Sequence, residues 1–257
     1  MQAIILAGGY GTRLYPLTLN APKPMVPVGG RPMVDYLLDK INALGCFTQI
    51  FIVTNDKFAH VFDAWKEEKR RDDIIIVNDG TLSNEDRLGS LGDIQFVIDN
   101  YEITEDVMIL GGDNFFEDDL SEMIRIFQKK GDSIALYDVE NLELVKQLST
   151  LTMNAENKIL DFIEKPENPT STLIATLIYC FKKSTLGHIQ DVIELGKADR
   201  AGDLIASICK VEDIYGYHLR GKWFDIGSMK QLNETEEWLL SRAKSSSTSP
   251  AQTSSFG

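Results

Sequence analysis

A glycine-rich segment near the amino terminus is the first place where this chain could bind a ligand through its backbone. Gly8, Gly9 and Gly11 fall within four positions, and Thr12 and Arg13 follow them. Glycine lets several N–H groups turn towards one point, and such a loop beside an arginine binds oxyanions such as phosphates. The segment lacks the Gly-Lys-Ser/Thr of a Walker A loop and the third glycine of the dinucleotide fingerprint. It is either an anion-binding loop or only a tight turn.

The stretch that follows this loop carries no acidic residue before Asp35. Arg13, Lys23 and Arg31 precede that aspartate, although the whole chain has 39 acidic and 26 basic residues and a formal net charge of −13. Five of the eight prolines fall in the same stretch, which predicts an extended loop without a helix. Two explanations stay open: chance composition, or a site kept positive for a polyphosphate, with Lys23 held in place by the prolines.

Two aspartates stand where predicted strands end. Two glycines precede Asp113, and Asp225 lies far along the chain between bulky apolar residues. A carboxylate in apolar surroundings is costly to bury unless it is paired or bound to a metal. Two carboxylates together with substrate phosphates are a usual way of holding Mg²⁺. Asp113 could instead belong to a turn before a helix, so the shared metal site is a hypothesis about folding.

A third acid stands beside a lysine at the end of a predicted strand. Glu164 and Lys165 precede Pro166, which ends the strand and holds the pair at its rim. The two side chains could bind sugar hydroxyls and a phosphate, or they could be a solvated charge pair. Elsewhere the three histidines are isolated, no Cys/His spacing fits zinc, and no nucleophile elbow is present. Covalent catalysis and transition-metal chemistry therefore have no candidate residues.

The elements that must position these side chains alternate between strands and helices. Short apolar, β-branched runs predict buried strands at 3–6, 50–53, 74–77, 107–110 and 133–137. Helical spacing predicts helices at 33–44, 120–127 and 229–243, and further strands are expected at 159–164, 173–181 and 214–219. The pattern predicts a Rossmann-like layered α/β/α fold with a mostly parallel central sheet. Ligands of such sheets bind beyond the carboxyl ends of the strands.

Composition excludes several classes of protein. The chain has 257 residues, of which 43% are apolar and 25% charged, and a pI near 4.7. This acidity argues against a nucleic-acid or anionic-membrane surface, and no apolar run reaches the roughly 18–20 residues of a membrane span. The sequence starts in a predicted strand without a basic leader, so we expect no signal peptide. Three widely spaced cysteines are typical of free thiols, and we expect a cytoplasmic globular protein.

Five motifs occur in a fixed order over nearly all of residues 1–240: LAGGYGTRLYPLT, KPMVPVGGRPMVDYLL, GGDN, EKP and WFDIGS. Together they resemble the sugar-nucleotide pyrophosphorylases, particularly the short glucose-1-phosphate thymidylyltransferase-like branch. The resemblance implies Mg²⁺-dependent transfer of a nucleotidyl group from an NTP, with dTTP or UTP favoured, to a sugar 1-phosphate. It also implies a nucleotide-binding half at about 1–132 and a smaller sugar-binding insertion region within about 133–243. We expect residues 244–257, rich in Ser and Thr, to be disordered.

The resemblance implies a set of nucleotide-binding positions: Leu6, Gly8, Gly9, Gly11, Thr12, Arg13, Lys23, Asn78 and Gly89. Arg13 would hold the β- and γ-phosphates, and Lys23 would stabilise charge at the α-phosphorus. Asn78 stands roughly where the family often has a base-reading glutamine, and Gly89 where it has a glycine at the nucleoside. Arg13, Lys23 and Asp113 would be catalytic, because in-line attack by a phosphate oxygen needs positioning and charge neutralisation but no general base.

The same resemblance assigns the metal and the acceptor. Asp113 and Asp225 would hold Mg²⁺ between the nucleotide and the sugar phosphate. Lys165 would bind the phosphate of the sugar 1-phosphate, Glu164 would bind its hydroxyls, and Thr176 would lie beside them.

Two positions on the sugar side depart from the family pattern. Ser149 and Leu177 stand where the family has glycines, and added side chains in a pocket cost about 1–3 kcal/mol or block a ligand. Two alternatives therefore stay open: CTP-dependent transfer to another phosphorylated alcohol, and a catalytically silent nucleotide-binding regulatory subunit. Proteins of this kind often form homo-oligomers, and the sequence shows no separable interface.

Overall fold

The computed structural model describes residues 1–247. Its strands are β1 (Gln2–Leu6), β2 (Pro27–Val28), β3 (Arg31–Pro32), β4 (Gln49–Thr54), β5 (Ile74–Asn78), β6 (Val107–Gly111), β7 (Asn114–Phe116), β8 (Ser133–Asp138), β9 (Ser149–Met153), β10 (Ile159–Glu164), β11 (Leu173–Phe181), β12 (Tyr215–His218) and β13 (Trp223–Asp225). Its α-helices are α1 (Met33–Leu44), α2 (Asp56–Lys69), α3 (Gly89–Asn100), α4 (Ser121–Lys130), α5 (Leu142–Val145), α6 (His188–Glu194), α7 (Ala201–Ile208) and α8 (Met229–Ser247). Short 3₁₀ helices occupy Thr12–Leu14, Lys23–Met25 and Lys183–Gly187.

Within these residues, seven strands form the central sheet in the order β12-β8-β11-β6-β1-β4-β5. Strands β6, β1, β4 and β5 pair in parallel, and β12 is parallel to β8. Strand β11 is antiparallel to both of its neighbours. The expected Rossmann-like layered fold with a mostly parallel sheet is therefore confirmed.

Helices cover both faces of this sheet, because alternate side chains of each strand point to opposite sides. On one face, Ile4 and Phe51 pack in a core that includes residues of α3, α6 and α7. On the other, Ile5 and Ile52 pack against residues of α1, α2 and α4. The short apolar runs of the sequence are thus strands buried on both faces, as parallel sheets require.

Three two-stranded sheets lie outside the central one. Strands β9 and β10 form an antiparallel pair, and α7 packs against β10. Strand β13 pairs with β7, which places Asp225 opposite Asn114, only one residue from Asp113. Strands β2 and β3 form the third pair. The β13–β7 pair is the structural reason why the two aspartates meet.

Several expected boundaries differ from the observed ones. Helix α8 continues to Ser247, four residues into the segment that we expected to be disordered, and the rest of that segment, 248–257, lies outside the described residues. The proline-rich stretch, expected to be an extended loop, contains two 3₁₀ turns. Pro24 fits the second of them because a first-turn N–H needs no helical partner. In the part of the chain that the structure describes, none of the helices has the length and apolar character of a bilayer span.

Candidate active site

The loop after β1 holds the glycine-rich segment at the carboxyl edge of the sheet. Gly112 N–H donates to the Leu6 carbonyl at 2.8 Å, which joins this loop to the exit of β6. Gly11 has a φ of 60°, a conformation that favours glycine, and its carbonyl accepts a 2.7 Å hydrogen bond from Thr18 Oγ1. The loop is therefore fixed by backbone and side-chain contacts beside the end of β6.

One lysine and two aspartates meet at this edge. Lys23 Nζ lies 2.7 Å from Asp113 Oδ2 and 3.8 Å from Asp225 Oδ1. The Ile226 N–H donates to the Asp113 carbonyl at 3.1 Å, which holds the two aspartates side by side. The 3₁₀ turn at Lys23–Met25 brings the ammonium group from the proline-rich loop into this position.

The two carboxyl groups have unlike proton affinities. Burial favours the neutral form of Asp113, but the adjacent Lys23 ammonium outweighs it and holds the pKa of Asp113 below its usual range. Burial, and then the charge of Asp113, raise the pKa of Asp225 to about 6. Two carboxylates beside one ammonium group carry a net negative charge, which a bound cation would offset.

This donor set fits Mg²⁺. Among residues 1–247, no group of three or more His, Cys, Asp or Glu side chains could hold a metal ion by itself. Mg²⁺ does not need such a group, because it keeps several waters and takes one or two carboxylates together with substrate phosphates. Asp113 and Asp225 supply those two carboxylates.

Three connected cavities extend from this point. The inner cavity, of about 200 Å³, is lined by Leu6, Gly8, Gly9, Gly89 and Asp113, among others. The middle cavity, of about 250 Å³, is lined by residues that include Ser149, Glu164 and Lys165. The outer cavity, of about 910 Å³, is lined by residues that include Arg13, Lys165 and Asp225.

Shared lining residues show how the cavities connect. Leu177 and Asp199 line both the inner and the middle cavity, and Lys165 lines both the middle and the outer one. The ammonium group of Lys165 and the guanidinium of Arg13 have no ion-pair partner within the described part of the chain. Two unpaired cations therefore border the three adjoining cavities, which together we call the channel and whose walls include Asp113 and Asp225.

The sequence model of a family described as nucleotidyl transferase matches residues 2–242. The chain belongs to the nucleotidyl transferase family.

Relatives of this nucleotidyl transferase include proteins with further segments. It is 32% identical to the "Bifunctional protein GlmU" of Methanocaldococcus jannaschii, over 94% of this chain and 55% of that protein. It is 30% identical to the "Glucose-1-phosphate adenylyltransferase" of Clostridium novyi, over 93% of this chain and 67% of that protein. The chain thus spans about half the length of the bifunctional relative.

The fold matches that of solved structures. A UDP-glucose pyrophosphorylase complexed with UDP-glucose superposes with a TM-score of 0.80, covering 94% of this chain and 98% of the other, at 20% identity. At this level of identity the match concerns the fold, which is that of the nucleotidyl transferase family.

Five expected ligand-binding residues of this nucleotidyl transferase are not among those that line the three cavities: Gly11, Thr12, Lys23, Asn78 and Thr176. Lys23 contacts Asp113, which lines the inner cavity, whereas Asn78 and Thr176 are turned away. Asn78 is exposed and its Nδ2 donates to Asp56 Oδ1 at 2.8 Å, whereas its neighbour Asp79 lines the inner cavity. Thr176 is buried and its Oγ1 donates to the Ala135 carbonyl at 3.1 Å, whereas its neighbour Leu177 lines the inner and middle cavities. In both cases the adjacent residue faces the channel.

Gly89 lies where two backbone segments approach each other closely. A Cβ on Gly89 would stand 2.5 Å from Asp199 Cα and 2.8 Å from the Ala198 carbonyl oxygen, and its φ is 81°. The N–H groups of Ser90 and Leu91 donate to the carbonyls of Asp199 and Ala198 at 3.1 and 2.9 Å. Only glycine fits there, and the segment before α7 caps the first turn of α3.

The two departures from the family pattern have different structural consequences. Ser149 is buried, and its hydroxyl accepts a 3.1 Å hydrogen bond from the Ala175 N–H, which ties β9 to β11. Leu177 has a φ of 55°, within an irregular part of β11. Leucine is rarely found in this left-handed region, and such outliers persist only where the surroundings impose them.

Sequence reasoning missed five charged residues that line the inner or middle cavity: Asp79, Arg87, Asp93, Asp199 and Arg200. One of them left a signal. Asp93 lies in α3 between Leu91 and Ile94, both buried, and an acid among core positions of a helix is uncommon. The other four lie in loops whose path depends on tertiary contacts.

Proposed function

We propose that this nucleotidyl transferase moves a nucleotidyl group from a nucleoside triphosphate to a sugar 1-phosphate, giving an NDP-sugar and pyrophosphate. The observation that carries the proposal is the position of Lys23 between Asp113 and Asp225, where the glycine-rich loop meets the channel. The net negative charge of this group would attract Mg²⁺, and the bound ion would in turn attract the phosphates of a nucleotide.

The residues of the nucleotide side have separate tasks. The backbone of the loop at Gly8, Gly9 and Gly11 would bind phosphate oxygens, and Arg13 would hold the outer phosphates. A phosphate oxygen of the acceptor attacks the α-phosphorus, and the bond to the departing pyrophosphate breaks. The attacking oxygen is already anionic at neutral pH, so the protein need not remove a proton. Lys23 would stabilise the charge that develops in the transition state.

Asp113 and Asp225 would hold Mg²⁺. When bound, the ion neutralises charge on the phosphates and orients them for in-line displacement.

The acceptor would occupy the middle cavity. Lys165 is exposed and carries a free ammonium group suited to the acceptor phosphate. Glu164 lies beside it in the same cavity, where burial and then the charge of Asp203 raise its pKa to about 7. Near neutral pH, a carboxyl of this kind can accept a hydrogen bond from a sugar hydroxyl when ionised and donate one to it when protonated.

The nucleobase is the open part of this proposal. The resemblance favours dTTP or UTP, whereas one relative is named an adenylyltransferase. CTP-dependent transfer to another phosphorylated alcohol stays as the second candidate, because Leu177 narrows the junction of the inner and middle cavities. A silent subunit is disfavoured, since Arg13, Lys23, Asp113, Lys165 and Asp225 are all present.

The three cysteines are free thiols, which supports the cytoplasmic setting we expected.

Pyrophosphate release tests the proposal. The full chain is assayed with Mg²⁺, with glucose 1-phosphate, and with dTTP, UTP, CTP, ATP or GTP in turn. We expect release with at least one nucleotide, and its loss when the sugar phosphate is omitted or Mg²⁺ is chelated. Binding of nucleotides without any release, with glucose 1-phosphate and with other phosphorylated alcohols, would contradict transferase activity.

A further inference from the structure

The inner cavity follows the carboxyl edge of the central sheet, with Asp113 at the exit of β6 and Asp79 just after β5. Neighbouring strands are about 4.8 Å apart, so the three steps from β6 to β5 separate these two ends by roughly 14 Å. If the phosphates bind at Lys23 and Asp113, as the proposed function requires, the nucleobase lies at the opposite end, beside Asp79, Gly89 and Asp93. The inference below rests on that function.

Two buried carboxyl groups border this end of the cavity. Asp79 and Asp93 are each 7% exposed, and both carboxyl groups lie beside Gly8. Asp79 Oδ1 accepts hydrogen bonds from both the N–H and the Oγ1 of Thr81 at 2.7 Å. Asp93 Oδ1 is buried without any hydrogen-bond partner among the described residues. A buried carboxyl oxygen without a donor is costly, and a small rotation of the Asp93 side chain towards the cavity would let a ligand N–H satisfy it.

The backbone beside these carboxyl groups leaves room for a ligand. A Cβ on Gly8 would stand 2.7 Å from Asp93 Oδ2 and 3.2 Å from Asp79 Oδ2. The glycine therefore keeps the two carboxyl groups uncovered on the side of the loop that the proposed function places against the nucleotide.

The basic residue at this end of the cavity does not pair with Asp79 or Asp93, so their oxygens stay available as hydrogen-bond acceptors. Arg87 lines this end, and its Nη2 lies 3.2 Å from Asp199 Oδ1. Burial, and then the charge of Asp79, raise the pKa of Asp93 to about 8, so Asp93 binds a proton more readily than a free carboxyl does, and the unprotonated oxygens of the two side chains remain acceptors.

A cavity surface lined by the acceptor oxygens of Asp79 and Asp93 would discriminate between nucleobases. Uracil and thymine present carbonyl acceptors on either side of one N–H, and these would face carboxyl oxygens. Guanine, adenine and cytosine each carry an exocyclic amino group that donates. We propose that this nucleotidyl transferase selects a nucleoside triphosphate whose base bears an exocyclic amino group, which donates to the Asp79–Asp93 pair. The inference departs from the dTTP or UTP that the resemblance favours.

Equilibrium binding tests the inference on the full chain. Isothermal titration with Mg²⁺ and without acceptor compares GTP, ATP and CTP with UTP, and dGTP and dCTP with dTTP. One amino-bearing nucleotide should bind at least about 10-fold more tightly than UTP, since hydrogen bonds to charged groups have this magnitude. Its analogue without the amino group, inosine triphosphate in the case of GTP, should lose that advantage. Equal or tighter binding of UTP or dTTP would overturn the inference.

A matched pair of variants locates the effect. Asp93→Asn keeps the shape of the side chain but offers an N–H donor, so it should reduce the preference for the amino base about 10-fold or more. Asp99→Asn, an exposed position in the same helix, should leave it unchanged. An unaltered preference in Asp93→Asn would contradict the assignment. If that variant does not fold, the comparison of amino-bearing and amino-free analogues on the wild-type protein decides.

Failure of the inference can be told apart from failure of the proposed function. Pyrophosphate release that is fastest with UTP or dTTP would support the transferase and overturn the choice of base. A binding preference for an amino base without release from any acceptor would support the choice of base and contradict the transferase.

Discussion

The ammonium group of Lys23 lies 2.7 Å from Asp113 and 3.8 Å from Asp225. A single cation therefore connects a carboxylate between β6 and β7 with one at the end of β13. Phosphate oxygens that enter this point compete with the carboxylates for the same ammonium group. In the free protein the lysine therefore preserves the arrangement of the two aspartates, and in the proposed reaction it would lie next to the reacting phosphorus.

Replacing Asp113 with asparagine should abolish most of the turnover. The amide keeps the shape of the side chain but removes half of the anionic charge that would hold Mg²⁺, and kcat should fall by about 100-fold or more. Pyrophosphate release measured against Mg²⁺ concentration checks this. Asp72→Asn, an exposed position far from the channel, serves as the control. Wild-type turnover in Asp113→Asn would rule out its role as a metal ligand.

Replacing Lys165 with methionine should weaken binding of the acceptor and leave binding of the nucleotide unchanged. Methionine keeps much of the apolar stem but removes the charge, so KM for the sugar 1-phosphate should rise about 10-fold or more while KM for the nucleotide stays the same. Initial rates with each substrate varied in turn give both constants. Lys129→Met, in the exposed last turn of α4, controls for the loss of a surface charge. A rise in the nucleotide KM alone would show that the roles are reversed.

Glu164 should make the fold less stable as pH rises. Its pKa is raised from 4.5 to about 7, chiefly by burial, so between these values the folded state binds more protons than the unfolded state and stability falls with increasing pH. Glu164→Gln removes this dependence. From pH 5 to pH 8 the wild-type protein should lose up to about 3 kcal/mol of unfolding free energy relative to that variant.

Urea denaturation at the two pH values measures this difference, with Glu167→Gln as an exposed neighbour for comparison. Parallel pH profiles for the wild type and Glu164→Gln would mean that the carboxyl is not buried as described.

Two substitutions of Leu177 separate the effect of its left-handed backbone conformation on stability from the effect of its side-chain size. Leu177→Ala removes most of the side chain but keeps the left-handed backbone, whereas Leu177→Gly also removes the strain, so the glycine variant should be more stable than the alanine variant by about 1 kcal/mol. Thermal or urea unfolding checks this.

The same two variants should both raise kcat/KM for glucose 1-phosphate, because each enlarges the junction between the inner and middle cavities. Unchanged acceptor kinetics in both would place the acceptor elsewhere in the channel.

The fold could be predicted from the sequence because its strands are short apolar runs buried on both faces, a pattern that few other structures produce. The glycine-rich loop and Asp113 were predicted for a related reason: both directly follow such a strand. The approach of Asp225 to Asp113 depends on the pairing of β13 with β7. Each of these strands has only three residues, too few for a periodic signal.

Two sequence-based assignments differ from the residues that line the channel by one position. Asn78 and Thr176 point away from the cavities, while Asp79 and Leu177 line them. Successive side chains of an extended chain point to opposite sides, so an alignment that is uncertain by one residue reverses the direction of the side chain. Only the three-dimensional structure resolves such a choice.

The main-chain hydrogen bonds from Ser90 and Leu91 to Asp199 and Ala198 attach helix α3, which borders the inner cavity, to the segment that borders the middle cavity. Because no side chain takes part in them, we expect substitutions of lining residues other than Gly89 to leave them intact. The linings of the two cavities can therefore change while the cavities keep their positions relative to each other.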